Sequence, residues 1–256
     1  MGDIQMINSF EQSLFIDSIK DISIDFAEKS IDSLTDNTLI NEIPVVKSIV
    51  AIYHGVRALN EQRLIKNTIA FIQEINKQDC NVKKIEKYKK KIFKSEKRYK
   101  DELERILMIL DKEIETKKTI YLARLFSALI NQHICLQIFT EYSEILDRLL
   151  IGDIQILLQE WSNRNQCLLL VKRDYSKNLD RVALQGIGEK VFIDNDPRSN
   201  KEKAKTVYYG FDEYSQLFIE IISNPHLEKS ITLCNDNKSY LSSSKIEYEI
   251  INNIKS

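Results

Sequence analysis

Apolar side chains recur at three- and four-residue steps along most of this chain, the spacing that places them on one face of an α-helix. Residues 9–34 form one such amphipathic stretch, and residues 44–76 form a second, with a proline in the first turn, where proline is tolerated. Between residues 82 and 114 the steps of three, four and seven predict either one long helix or two stacked helices. A further helical pair is predicted over 119–130 and 136–150.

The pattern changes after residue 160, where short runs of β-branched and aromatic residues appear. The predicted elements are a helix over 166–172, a helix over 177–185, two strands of a hairpin at 190–194 and 205–209, and a helix over 212–223. Gly186 or Gly188 ends the second of these helices, because glycine is common just past a helix C-terminus. Helix, helix, hairpin, helix is an order compatible with a winged-helix-like module.

The fold class predicted from these elements is mainly α: a helical bundle body followed by a small winged-helix-like α+β module. The body spans residues 1–160, the module spans 161–224, and a polar tail of uncertain structure spans 225–256. The chain contains only six Gly and three Pro among 256 residues, too few for the many tight turns of a β-sandwich or barrel.

Charge and cysteine content narrow the function classes. The formal net charge is −1, so only local patches attract nucleic acid or an anionic membrane. The four cysteines form no Cys-x-x-Cys pair, which argues against a zinc ribbon or a disulfide framework and favours a reducing cytoplasm. The N-terminus does not resemble a secretion signal, and the apolar segment 43–53 is too short to span a bilayer as a helix.

A basic run between residues 83 and 100 contains ten Lys or Arg against two Glu. Such a run either contacts phosphates or anionic lipids, or forms the solvated face of a helix whose apolar face packs inward. Its candidate contacts are Lys83, Lys84, Lys87, Lys90, Lys91 and Lys94.

The winged-helix-like module supplies a second set of candidate contacts. Lys177 and Arg181 lie on its predicted recognition helix, and Arg198 and Lys205 lie in its wing. Acidic neighbours such as Asp180 dilute the positive field, so the alternative is a protein contact or a purely structural use of the same shape.

No catalytic, cofactor-binding or metal-binding set is predicted. His54, His133 and His226 lie in different segments without metal-ligand spacing. Cys135 lies two residues after His133, but sequence proximity alone does not assign the two as a nucleophile and its base. The chain contains no glycine-rich phosphate loop and no Gly-x-Ser-x-Gly motif. We therefore expect no enzymatic activity and no cofactor.

Several stretches resemble a family of bacterial proteins. They are residues 21–28, 42–53, 63–72, 122–126 and 142–149. Together they are similar to the Abi-alpha-like group, which is linked to abortive infection, and the resemblance extends to about Ser223. It rests on hydrophobic patterns, so no functional residue is carried over. It implies a role in bacterial defence against phage.

The leading hypothesis is therefore a cytoplasmic, non-enzymatic antiphage interaction protein that binds a protein partner or associates with itself. One alternative is a nucleic-acid-binding regulator that uses the winged-helix-like module. Another is a membrane-active effector that exposes the apolar segment 43–53 when it is triggered.

Overall fold

The computed structural model describes residues 2–14, 42–53, 58–77, 93–163, 170–172, 177–194 and 205–224. The described residues are mainly helical, as the apolar pattern predicts. The chain divides into two compact units, Met1–Ser143 and Glu144–Ser256. The helix that begins at Ile151 packs on later helices and belongs to the second unit.

Helices build the described part of the first unit. They are α1 (Gly2–Ser13), α2 (Pro44–Tyr53), α3 (Ala58–Lys77), α4 (Glu96–Lys112), α5 (Thr116–Ile130) and α6 (Leu136–Arg148), the last of which contains the division between the units. The predicted first helix over 9–34 needs correction, since α1 begins at Gly2 and ends at Ser13. Residues 15–34 of that prediction lie outside the described residues, as do residues 35–41 and residues 54–57 between α2 and α3.

Four phenylalanines connect the helices of the first unit across its core. Phe10 of α1 contacts Phe71 of α3, with ring centroids 5.8 Å apart. Phe71 contacts Phe126 of α5 at 5.9 Å, and Phe126 contacts Phe139 of α6 at 5.8 Å. All four rings are buried, and tilted contacts at these distances are favourable for aromatic pairs. The four rings therefore link α1, α3, α5 and α6.

Hydrogen bonds to serine hydroxyls join α2 to α1 and show their relative direction. The backbone N–H of Val45 donates to Ser13 Oγ at 3.0 Å, and Ser48 Oγ donates to Ser9 Oγ at 2.7 Å. Residue numbers thus rise along one helix as they fall along the other, so α1 and α2 are antiparallel. The pair buries the apolar residues Ile7, Val45 and Ile49.

The side chain of Asn67, on α3, binds the C-terminal end of α4. Its Nδ2 donates to the carbonyls of Leu110 at 2.9 Å and Glu113 at 2.8 Å, groups that a helix C-terminus leaves without an intrahelical partner. Thr116, the first residue of α5, donates to Asn67 Oδ1 at 3.3 Å. Helix α4 therefore ends at Lys112 and α5 begins at Thr116 without glycine or proline between them.

The second unit combines helices with a small antiparallel sheet. Its described elements are α7 (Ile151–Asn163), β1 (Leu170–Lys172), α8 (Lys177–Leu184), β2 (Glu189–Asp194), β3 (Lys205–Gly210) and α9 (Glu213–Ser223). The strand order is β1-β3-β2. Val171 pairs with Tyr209, and Lys190 pairs with the same tyrosine from the other side.

Most of the elements predicted for the second unit are confirmed. The hairpin of β2 and β3, helix α8 and helix α9 all lie where the pattern places them. The helix predicted over 166–172 is wrong at residues 170–172, which form strand β1 instead. A short apolar run does not by its periodicity distinguish a strand from a buried helix, and pairing with β3 decides the outcome here.

Candidate functional site

The candidate contact residues Lys177 and Arg181 both lie on helix α8. The buried face of this helix holds it in place. Leu179 and Val182 are buried. At the C-terminus the N–H of Gly186 donates to Ala183 O at 3.0 Å and that of Ile187 to Val182 O at 3.2 Å. These two bonds form a Schellman motif, whose left-handed residue is Gly186 at φ +87°.

Asp153 of α7 holds one side of α8. Its side chain is 1% exposed, and both carboxylate oxygens accept hydrogen bonds. Oδ1 accepts from Asn178 Nδ2 at 2.8 Å and from Arg181 Nη2, while Oδ2 accepts from Arg181 Nε at 2.9 Å. The Arg181 contact is therefore bidentate, the geometry that planar guanidinium groups favour with carboxylates.

The same carboxylate also caps α7. The N–H of Leu150, the residue before the helix, donates to Asp153 Oδ2 at 3.4 Å, and the N–H of Asp153 donates to Leu150 O at 3.0 Å. An acidic residue at the third helical position that reaches back in this way resembles half of a capping box. The hydrogen bond to Asp153 is the main reason that the pKa of Arg181 lies above its ordinary value, against a smaller effect of desolvation.

Asp180 holds the other side of α8 against the sheet. Its Oδ1 accepts from the Tyr209 hydroxyl at 2.7 Å and lies 2.8 Å from Lys190 Nζ. Desolvation raises the pKa of Asp180, but the hydrogen bonds from Lys190 and Tyr209 and the charge of Lys190 outweigh it, so the pKa lies below its usual value. Asp180, the acidic neighbour of the basic residues on α8, is thus neutralised by Lys190 of the sheet.

The structure separates the predicted contact residues. Lys177 is exposed at the start of α8, whereas Arg181 is half-exposed and already paired with Asp153. Lys205 is the first residue of β3, opposite Asp194 in the hairpin. Arg198 lies outside the described residues. Of this predicted surface, the structure therefore describes only helix α8 and the backbone of β3.

The basic run is described only at its end. Lys83, Lys84, Lys87, Lys90 and Lys91 lie outside the described residues. Lys94 is exposed just before α4 and has a left-handed backbone, with φ 57°. Behind it Phe93 packs on the buried Tyr99, with ring centroids 5.1 Å apart, so the described end of the run combines exposed lysine with an inward aromatic pair.

The apolar segment 43–53 packs mostly into the first unit. Ile43, Val45, Val46 and Ile49 are buried, and Ile52 is exposed. None of the helices that the structure describes combines the length and the apolar character needed to cross a bilayer.

Histidine and cysteine form no cluster in the part of the chain that the structure covers. His133 and Cys135 lie in the connection between α5 and α6, and Cys135 carries a free thiol. Over the described ranges, no group of three or more His, Cys, Asp or Glu is placed to hold a metal ion.

Sequence reasoning missed the buried polar residues that join helices, among them Asn67, Glu74 and Asp153. Glu74 accepts from Arg124 Nε at 2.7 Å, which joins α3 to α5. Nothing in the spacing of Asn67 or Glu74 distinguishes them from exposed polar residues. Asp153 does carry a signal, because an acid in the first turn of a helix is typical of N-terminal capping.

No family model matches this chain, and neither the curated proteins nor the solved structures contain a significant match to it.

Proposed function

We propose that this chain is a non-enzymatic interaction protein of bacterial defence against phage, of the abortive-infection type. The observation that carries the interaction role is the way α8 is held. Asp153 and Asp180 fasten the helix on two sides through hydrogen bonds to Arg181, Asn178 and the sheet. Within α8, the exposed residues are Lys177 and Leu184.

A helix fixed by these contacts, with exposed side chains, suits binding better than proton transfer. Asp153 accepts two hydrogen bonds at each carboxylate oxygen, so its lone pairs are used in positioning α8. Leu184 and Lys177, two turns apart on the same stripe of the helix, offer a partner both apolar area and charge, as the residues of protein interfaces do. The defence role is supported by the resemblance to the Abi-alpha-like group.

A plaque assay tests the proposed function. Cells that carry the intact gene should plate at least one phage of a broad panel with reduced efficiency, compared with cells that carry an empty vector. The variant Leu184→Asp should lose this protection while retaining its helical circular dichroism, and Ile114→Asp, which alters an exposed isoleucine of the first unit, should retain it. Unchanged plating by every phage would refute the defence role.

A nucleic-acid-binding regulator is the second candidate, and the sheet supports it. A three-stranded antiparallel sheet of order β1-β3-β2, with a helix before its hairpin, is compatible with a winged-helix-like module. Lys177 is the exposed cation of that helix. The pairing of Arg181 with Asp153 weakens this candidate, because phosphate contact would compete with an existing bidentate partner.

Gel-shift measurements at low salt test the second candidate. Retardation of a duplex should weaken uniformly in Lys177→Ala and Lys205→Ala, and the salt slope should fall by about one for each phosphate contact removed. Arg181→Ala is unsuitable here, because it also leaves the buried Asp153 without its partner. No retardation of any duplex at micromolar protein would exclude this function.

A further inference from the structure

One face of helix α4 is exposed along the whole helix. Successive steps of four, three, four and four residues place five exposed side chains on it: Lys97, Asp101, Glu104, Met108 and Lys112. The opposite face is buried in the first unit and carries Tyr99, Leu103, Ile106, Leu107 and Leu110. We call the five exposed residues the α4 stripe.

The α4 stripe combines free charges of both signs with one apolar side chain. Within the described part of the chain, no ion pair involves its two lysines or its two acids. Met108 is 54% exposed between Glu104 and Lys112. A thioether side chain adapts its shape to irregular surfaces, which suits it to a contact with another protein.

Arg105 borders the stripe but adds no free charge to it. Its Nε donates to Glu102 Oε1 at 2.8 Å, and its Nη2 donates to the same oxygen at 2.5 Å. The guanidinium also lies over the Phe139 ring, 5.4 Å from its centroid. The charges available to a partner on this face are therefore those of the stripe itself.

We infer that the α4 stripe binds a second copy of this chain, with the two α4 helices antiparallel about a two-fold axis. A two-fold interface uses the same surface on both copies, so that surface must complement itself. An axis midway between Asp101 and Lys112 places each Asp101 opposite Lys112 of the other copy. It also brings the two Met108 side chains together beside the axis. Lys97 comes level with the exposed Glu115 of the other copy, just past the end of its α4.

The order of charges favours a second copy over a partner of a single charge sign. Nucleic acid or an acidic protein would meet Asp101 and Glu104 in the middle of the stripe, and a basic partner would meet Lys97 and Lys112. In the antiparallel pair, Glu104 lies beside Met108 of the other copy, and no two like charges of the stripe stand opposite each other.

This inference goes beyond the proposed function, which rests on α8, so either can fail alone. Equilibrium sedimentation of the full chain tests it, and the wild type should be a dimer in reversible exchange with monomer. Met108→Asp should raise the dissociation constant about tenfold, because a charge in the centre of an interface costs as much as the loss of a hot-spot side chain. Ile52→Asp is the matched control, since Ile52 of α2 is 48% exposed, and it should leave the constant unchanged.

Charge exchange tests the pairing and its direction. Lys112→Glu and Asp101→Lys, each alone, should raise the dissociation constant about two- to fivefold, the range of exposed ion pairs. The double variant should return it to within about twofold of the wild type, because each new glutamate then faces a new lysine on the other copy. Lys47→Glu, which alters an exposed lysine of α2, should have no effect.

A cysteine at the axis tests the geometry. Met108→Cys should give a disulfide-linked dimer under mild oxidation, because residue 108 of one copy then lies within disulfide reach of residue 108 of the other. Ile52→Cys should remain largely uncrosslinked under the same conditions, which also controls for the native cysteines.

A wild type that remains monomeric at the highest concentration it tolerates would overturn the inference. So would a dimer that Met108→Asp leaves intact, or a double charge variant weaker than both single variants. Protection against phage by a chain shown to be monomeric would retain the proposed function and overturn the inference. A dimer that responds to these variants but protects against no phage would retain the inference and refute the defence role.

Discussion

Gly186 and Gly188 both adopt left-handed backbone conformations, but their surroundings differ. At Gly186, with φ +87°, nothing lies within 4 Å of the position that a Cβ would take. At Gly188, with φ +80°, a Cβ would lie 2.7 Å from the carbonyl oxygen of Gly210 and 2.9 Å from the Phe211 ring. The second glycine is required by close packing as well as by its backbone conformation.

Replacing these two glycines by alanine should separate the two effects. Gly186→Ala should lower the free energy of unfolding by about 1 kcal/mol, the cost of a left-handed alanine. Gly188→Ala should lower it by at least about 2 kcal/mol more, because β2 begins at Glu189 and pairs there with Gly210, so backbone must move apart. Urea denaturation of both variants measures the difference. Equal losses would show that Phe211 and Gly210 adjust freely.

Thr119 is a buried residue of α5 whose hydroxyl oxygen has no hydrogen-bond partner. Burial without a partner costs free energy, and valine has the same shape without the hydroxyl. Thr119→Val should therefore leave stability unchanged or raise it by up to about 1 kcal/mol. Thr140→Val is the control, since the Thr140 hydroxyl donates to Leu136 O at 3.0 Å and its loss should lower stability. Thermal or urea unfolding of both variants decides the point, and a loss at Thr119 equal to that at Thr140 would contradict it.

At the scale of the elements, the four-phenylalanine chain makes Phe71 central to the first unit. It is the ring on α3 that contacts both Phe10 of α1 and Phe126 of α5. Phe71→Ala should lower the free energy of unfolding by about 3–5 kcal/mol, because it leaves a cavity and removes two ring contacts. Phe71→Leu should cost less than half as much. A chemical denaturation series measures both, and similar costs for the two variants would show that the site collapses around alanine.

Helix periodicity made α5, α6, α8 and α9 predictable, and the runs of β-branched and aromatic residues made the hairpin predictable. Periodicity also placed a break between the runs 82–114 and 119–130, and α4 does end at Lys112 while α5 begins at Thr116. It did not explain that break, because no glycine or proline marks the turn. The cause is Asn67, whose amide donates to carbonyls 43 and 46 residues later in the chain. A contact over such a separation leaves no trace in local spacing.

The candidate surface, too, was predictable only in part. The positions of Lys177 and Arg181 on one helix follow from spacing alone. Their different states do not, because they depend on Asp153, which is 28 residues from Arg181 in sequence. The exposure of Leu184 does follow from spacing, since it lies five residues after Leu179 and two after Val182, off the buried face. For Arg181, the sequence lacks the identity of the neighbouring element.

At the scale of the whole molecule, two carboxylates of opposite behaviour make stability depend on pH. The pKa of Asp180 is lowered, so its stabilising contribution is present above its unfolded pKa and is lost as pH falls through the folded pKa. Burial raises the pKa of Glu220, so its contribution is present below its unfolded pKa and is lost as pH rises through the folded pKa. At neutral pH, ionised Asp180 therefore stabilises the protein, and ionised Glu220 destabilises it.

Neutral substitutions should reveal these opposite signs. At pH 7, Asp180→Asn should lower the free energy of unfolding and Glu220→Gln should raise it, each by less than about 1 kcal/mol because solvent screens both groups. The Glu220→Gln difference should shrink as pH falls through the raised pKa of Glu220, and the Asp180→Asn difference should shrink only at lower pH, as pH falls through the lowered pKa of Asp180. Urea unfolding at a series of pH values measures them. Differences of the same sign at pH 7, or a Glu220→Gln gain that persists in acid, would show that hydrogen bonding or packing, rather than ionisation, governs these positions.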